Sequence, residues 1–130
     1  MTLSIKTQHK REVIDITEQV AQQALAGSGI VHVFVRHTTC AVMTMDMDPG
    51  MGEDLLGAVE DILPHRNWKH PHNDSYQHVT AHLLASLIGP SISVPFTDGK
   101  LQLGVWQRIV LIEFNGPRER QIAITILEGR

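Results

Sequence analysis

The sequence predicts an α+β fold, a single domain in which a largely antiparallel or barrel-like sheet carries a few helices. Three observations support this. Strand-type runs come first, helix-type runs fill the middle and strand-type runs return at the end, without the βαβ alternation of a parallel sheet. Asp98-Gly99 lies between two β-type runs, a strong hairpin signal. The chain has 130 residues, 42% of them hydrophobic, which suits one domain with its own core.

The elements follow in order. Leu3, Ile5 and Thr7 alternate with polar residues, and Val13-Ile14-Asp15-Ile16 follows a Lys-Arg break, so two short strands are expected. Thr17 is placed to cap a short helix carrying Val20, Ala21, Ala24 and Leu25, closed by Gly27. Ile30 to Val35 is β-branched and almost wholly apolar, the pattern of a buried strand. Asp48-Pro49 supplies an N-cap and a first-turn proline. The helix behind it sets Met51, Leu55, Val59, Ile62 and Leu63 on one face and ends at Pro64. Residues 65–77 are loop-like, and His78 to Ile88 forms a second helix stopped by Gly89-Pro90. Ser91–Phe96 and Leu101–Leu103 flank the Asp-Gly turn, and Val105–Phe114 and Gln121–Leu127 flank Asn115-Gly116-Pro117 as a second hairpin.

Composition narrows the function. Charged residues are 19% and the formal net charge is −3, so bulk attraction to nucleic acid or to an anionic membrane is not expected. The low charged fraction leaves neutral surface that subunit contacts would cover. Cys40 is the single cysteine, which excludes an internal disulfide and points to a reducing compartment. No apolar run nears the roughly 18 residues of a membrane span, and no signal pattern opens the chain, so a cytoplasmic protein is expected. Phosphate-binding P-loops, dinucleotide-binding glycine turns, nucleophile elbows and Cys-x-x-Cys pairs are absent from the sequence.

Histidine is the unusual component. Of eight, five (His65, His70, His72, His78 and His82) fall within eighteen residues. Histidine titrates near neutrality and is the commonest metal ligand. His78 and His82 share one helical face at i, i+4, within reach of one ion, among the small residues Ala81, Ala85 and Ser86. His70, His72 and Asp74 precede them; a solvated histidine-rich loop is the alternative. His37 shares strand parity with Val31, Val33 and Val35, so it points inward where the strand ends, followed by Thr38 and Thr39. It is either a satisfied core histidine or part of a site. Glu113 sits on one face of the apolar run Ile109–Phe114 and needs a partner. Arg118 and Arg120 supply one as an ion pair, or else bind an anionic substrate while Glu113 acts as base or metal ligand. The apolar neighbours of Cys40 argue against a nucleophilic role.

Several blocks then align with one family. His37-Thr38-Thr39 followed by an apolar strand, Asp48-Pro49 and Asp54-Leu55 resemble the first signature of the YjbQ family. Ala81-His82, Leu87-Ile88-Gly89, Val94-Pro95, Asp98-Gly99-Lys100-Leu101, Leu103-Gly104-Val105-Trp106-Gln107 and Glu113-Phe114-Asn115-Gly116-Pro117-Arg118 resemble its second half in the same order. Two positions depart from the pattern: Val105 stands where the family usually has Thr, and Met45 where it usually has Glu. The resemblance implies a small α+β domain assembled as a ring-shaped homotrimer. It also implies a secondary thiamine-phosphate synthase activity, coupling a pyrimidine pyrophosphate to a thiazole phosphate.

Three functional expectations result. The first is a synthase-type transferase acting on small phosphorylated molecules, in which a divalent ion (Mg or Zn) and positive side chains stabilise departing pyrophosphate. Arg118, Arg120 and Lys100, with Trp106 and Gln107, would bind substrate. His37, Thr38, Thr39 and Glu113 would serve catalysis, and His37, His70 and His82 would hold the metal. The second is a metal-dependent hydrolase of a small anion built from the same residues. The third is a non-enzymatic trimeric metal- or ligand-binding protein. All three expect His37, His70, His82 and Glu113 to converge in one cleft.

Overall fold

The computed structural model describes residues 1–23, 26–69 and 76–129, with backbone alone at 76–77. The described residues form eight strands in two antiparallel sheets. These are β1 (Thr2–Lys6), β2 (Glu12–Asp15), β3 (Gly29–Val35), β4 (Cys40–Met45), β5 (Ser91–Thr97), β6 (Lys100–Leu101), β7 (Arg108–Glu113) and β8 (Glu119–Glu128). The larger sheet has the order β1-β8-β3-β5-β6 and the smaller β2-β7-β4. Helices α1 (Thr17–Ala21), α2 (Met51–Ile62) and α3 (Tyr76–Ile88) complete the described elements.

Strand periodicity explains the layering. On β3, Val31, Val33 and Val35 are buried while Ile30 and Phe34 on the opposite face are exposed, so the strand is buried on one face only. Those valines meet Val94 and Phe96 of β5, Ile122 and Ile124 of β8, and Val42, Ile109 and Leu111 of the smaller sheet. The alternate residues of the smaller sheet, Ala41, Val110 and Ile112, form a second core with Val59 of α2 and Ala81, Leu84 and Ala85 of α3. The smaller sheet is therefore a middle layer with both faces covered, which is why Ile109–Ile112 reads as unbroken apolar sequence.

Several local expectations change. Thr17 is the first helical residue instead of the cap: its N–H donates to Asp15 Oδ1 (2.9 Å), and its hydroxyl accepts from Ile109 N–H (2.8 Å), tying α1 to β7. Ala24 and Leu25 lie outside the described residues. α2 starts beyond Asp48-Pro49, with Gly50 at the cap in a left-handed conformation (φ 92°) that favours glycine. Ile62 is 63% exposed and so is off the buried face of α2. On α3 the small face packs inward as its residues suggested, with Ala81 fully buried, while Leu87 on the other side is 64% exposed. The Asp98-Gly99 turn has both residues at positive φ (50° and 75°), joining β5 to β6 as expected. Asn115-Gly116-Pro117 is not a hairpin turn. β7 and β8 belong to different sheets, and this segment, with a cis Gly116-Pro117 bond, carries the chain from one to the other.

That crossing positions the site. Segments 7–11, 36–39 and 114–118 link β1 to β2, β3 to β4 and β7 to β8, and each passes between sheets. The registers Lys6↔Glu119, Val35↔Ile122, Glu12↔Glu113 and Cys40↔Glu113 put all three crossings at the same end of the molecule.

Candidate functional site

The shared end of the two sheets is closed by a buried ion pair. Glu113 lies on the inter-sheet face of β7 and Arg120 on the inter-sheet face of β8, respectively 0% and 2% exposed. Arg120 Nε donates to Glu113 Oε1 (2.8 Å) and its Nη2 donates to Oε2, a bidentate pair. Glu113 also accepts from the Thr7 hydroxyl (2.7 Å) and from the Asn115 N–H (3.1 Å). Arg120 Nη2 donates further to Thr39 Oγ1 (2.7 Å) and to the Thr39 carbonyl (3.2 Å). The pair thus binds all three crossings to each other. Burial pushes the Glu113 carboxyl up, but the hydrogen bonds from Arg120, Thr7 and Asn115 outweigh it and hold it below the ordinary carboxylate value. Its lone pairs are occupied, so it has the geometry of the ion-pair partner expected as one alternative, and Arg120, not Arg118, is the partner.

Above this pair lies an open polar cleft of about 340 Å³. Segment 36–39 contributes Arg36, His37, Thr38 and Thr39 to its lining, the third crossing and β8 contribute Asn115, Arg118 and Arg120, and α3 contributes His78 and His82. His37 Nε2 accepts the Gln121 N–H (2.9 Å), so the ring proton resides on Nδ1. Burial lowers the His37 pKa, and Arg120 lowers it further, against an opposing pull from Glu113. The ring is a neutral donor at physiological pH. The His78 and His82 rings meet edge to face, centroids 4.9 Å apart, and His78 Nδ1 lies 3.4 Å from Asn115 Nδ2.

Charge is the distinctive property of this cleft. Arg118 uses Nε on the Asn115 carbonyl (2.8 Å), and neither it nor Arg36 makes an ion pair among the described residues. Lys10, from the first crossing, donates Nζ to Asn115 Oδ1 (2.7 Å). No Asp or Glu lines the cleft among the described residues. A net-acidic chain therefore places two cations, Arg36 and Arg118, in the cleft without an ion pair among the described residues, and Lys10 lies beside it on Asn115. Sequence reading singled out Arg118 and Arg120 but missed Lys10, Arg36 and Asn115. The signals were the Lys-Arg break between the first two strands and the arginine directly before His37.

The sequence candidates thus divide. His37, Thr38, Thr39, His82, Arg118 and Arg120 line one cleft, with Glu113 beneath it. His70, with His72 and Asp74, lies outside the described residues. Trp106 and Gln107 precede β7 at its other end, about 17 Å or more from Glu113 at ~3.4 Å per residue. Trp106 is 70% exposed, and Gln107 accepts from the Gly104 N–H (2.8 Å). Lys100 sits across from Thr97 at the Gly29 end of β3, also remote from the cleft. The expected joint substrate site of these three with Arg118 and Arg120 does not form within one chain. The reason is that β7 spans the molecule and its two ends carry different motifs.

The suspected divalent ion would draw on His37 and His82 in the cleft and on His70, which lies outside the described residues; among the described residues no group of three potential ligands occurs. The buried Cys40 thiol is pushed up by burial to about 11, which keeps it protonated and unreactive. No helix among the described residues is long and apolar enough to cross a membrane.

Comparison with known proteins gives a consistent answer. Residues 1–129 match the family model described as "UPF0047 protein YjbQ-like". A UPF0047 protein of Archaeoglobus fulgidus is 41% identical over 128 residues, covering 98% of this chain and 100% of that protein. The UPF0047 protein YugU of Bacillus subtilis is 34% identical, covering 97% of each. The crystal structure of a YbjQ-like protein of unknown function from Sulfolobus solfataricus superposes with a TM-score of 0.88 at 35% identity, covering 99% of this chain and 96% of that one. A YjbQ/UPF0047 structure from Clostridium acetobutylicum gives 0.86 at 32% identity, covering 98% and 99%. Fold and sequence agree along the whole described length, and the chain belongs to the YjbQ-like UPF0047 family.

Proposed function

We propose that the cationic cleft binds a small phosphorylated molecule, and that the chain acts there as a transferase of the thiamine-phosphate synthase type. One observation supports the first part: Arg36 and Arg118 face a cleft without a lining carboxylate among the described residues, and neither guanidinium has an ion-pair partner among them. Each guanidinium offers the planar donor fork that fits a phosphate edge. The neutral His37 adds a donor without adding charge. In the synthase reaction the bond from the pyrimidine methylene carbon to pyrophosphate oxygen breaks, and a thiazole nitrogen takes the carbon. The protein's part is to stabilise charge on the leaving pyrophosphate, which fixed cations do without reorganising.

Calorimetric titration with pyrophosphate tests the first part. Arg118→Ala and Arg36→Ala should each weaken binding by roughly tenfold, the effect of one lost charge-assisted hydrogen bond. Absence of binding by the unmodified chain at millimolar pyrophosphate would sink the reading. The transferase part has its own test: both substrates with Mg²⁺, where no product above a heat-killed control removes it.

The proposal includes a homotrimer. The outer face of β3 carries Ile30 and Phe34, 44% and 39% exposed. Their register neighbours Pro95 and Leu127, and Ser91 and Ala123, carry no charge. Such a face is suited to contact between copies. Light scattering at micromolar concentration should give a mass well above 14.5 kDa, and a monomer mass would remove this part.

A further inference from the structure

We infer that the phosphate cleft is one half of a two-chamber site, and that its ligand is a phosphomonoester carrying an apolar body. Beside the cleft lies a larger cavity of about 530 Å³, lined by Phe34, Val35, Cys40, Ala85 and Pro90. The two chambers share Arg36, His37 and Thr38, so a molecule can occupy both without leaving the protein surface. Their chemistry differs sharply. The cleft offers guanidiniums, hydroxyls and imidazoles, whereas the larger chamber has an apolar floor and, among the described residues, no charged group away from the shared rim. The Cys40 thiol, held protonated, adds only a small apolar surface there.

This arrangement discriminates by physical necessity. Inorganic phosphate fills the cleft and leaves the apolar chamber wet. A phosphomonoester whose alcohol part reaches over His37 displaces that water and gains burial. Full burial is worth roughly fourfold in affinity per methylene; for a chamber open on one side, about half that free energy, or twofold, applies. A free alcohol gains the apolar contact but not the guanidiniums, and one apolar chamber of this openness holds it weakly.

The inference rests on the reading of the cleft as a phosphate site, and is independent of the transferase reading. Calorimetry with inorganic phosphate, methyl phosphate, butyl phosphate and butanol separates it from that reading. Butyl phosphate is expected to bind about eightfold tighter than methyl phosphate, three methylenes at roughly twofold each. Butanol alone should show no measurable binding at the same concentrations. Ser86 lies in the apolar chamber and not in the cleft, and it is exposed on α3. Ser86→Phe should therefore abolish the gain from the butyl group and leave the affinity for methyl phosphate within about twofold. Equal affinity for methyl and butyl phosphate, with phosphate itself bound, would overturn the two-chamber inference and leave the phosphate reading intact. A second copy of the chain covering the chamber would produce that result. Failure of every phosphate compound to bind would overturn both. A chain-length gain that survives Ser86→Phe would place the apolar body elsewhere and also refute the inference.

Discussion

Arg120→Met is expected to cost about 3–5 kcal/mol, because it leaves the fully buried Glu113 carboxylate without its counter-charge. For a domain whose whole stability is of the order of 5–15 kcal/mol, that is a large share. Urea denaturation followed by circular dichroism reads the effect directly. The double variant Arg120→Met/Glu113→Leu should lose less than Arg120→Met alone, since no charge then remains buried. The two sites should couple by about 2 kcal/mol or more. Acid provides an independent arm. The folded-state pKa of Glu113 is held below its ordinary value, so the folded state favours the ionised form. That contribution is fully present above the ordinary carboxylate value and is lost as pH falls through the lowered one. The unmodified chain should therefore lose stability progressively below about pH 4.5, and Glu113→Gln should flatten that limb. A loss under about 1 kcal/mol in Arg120→Met would mean that the pair does not join the sheets as described.

The same pair shows how far sequence could lead. That Glu113 faces a buried surface follows from its parity with Ile109 and Leu111, and a nearby arginine follows from the need to compensate it. Sequence separation could not reveal that Glu113 and Arg120 stand on different sheets, because a turn between two strands reads alike whether it closes a hairpin or crosses a core. The misread crossing concealed how the site is assembled, though sequence reading names most of its lining residues. Lys10 and Arg36 are unremarkable surface cations in sequence, and nothing there ties them to Arg118. They form one electrostatic feature only because three crossings meet at one end of the sandwich. Periodicity succeeded where a single face decides the pattern, as on β3, where the valine parity placed His37 beside the core. It failed at the end of α2, where Ile62 shares the apolar stripe but is 63% exposed, whereas on α3 the small residues Ala81 and Ala85 marked the packed side and Leu87 stays outside. The eye-catching Trp106-Gln107 block leads into β7, and the length of that strand separates it from Glu113.

Gly116→Ala is expected to damage both the fold and the cleft, at a cost of about 3 kcal/mol, the upper end for added bulk in a closed site. A Cβ at this position would lie 2.2 Å from the His9 carbonyl oxygen, 2.8 Å from Thr7 Oγ1 and 2.9 Å from Glu113 Cγ. None of these is the free end of a flexible side chain. His9 O is backbone, the Thr7 hydroxyl is committed to Glu113 and to the Arg118 N–H (2.8 Å), and Glu113 is fixed by Arg120. Relief requires the first crossing to move away from the third, which also strains the Gly116 N–H to Lys10 O bond (2.9 Å). Asn115 and Arg118 of the cleft are carried on the third segment and Lys10, bonded to Asn115, on the first, so this wall of the cleft would shift as the fold loosens. Thermal and urea unfolding of Gly116→Ala should show the stability loss, and pyrophosphate affinity per folded molecule should fall at least severalfold at temperatures where the variant remains folded. Gly57, where an added Cβ meets nothing within 4 Å, provides the control: Gly57→Ala, within α2, should be neutral or stabilising by up to about 1 kcal/mol. Equal stability of the two variants would contradict the close packing of the first and third crossings, and with it the support that the first gives to the cleft wall.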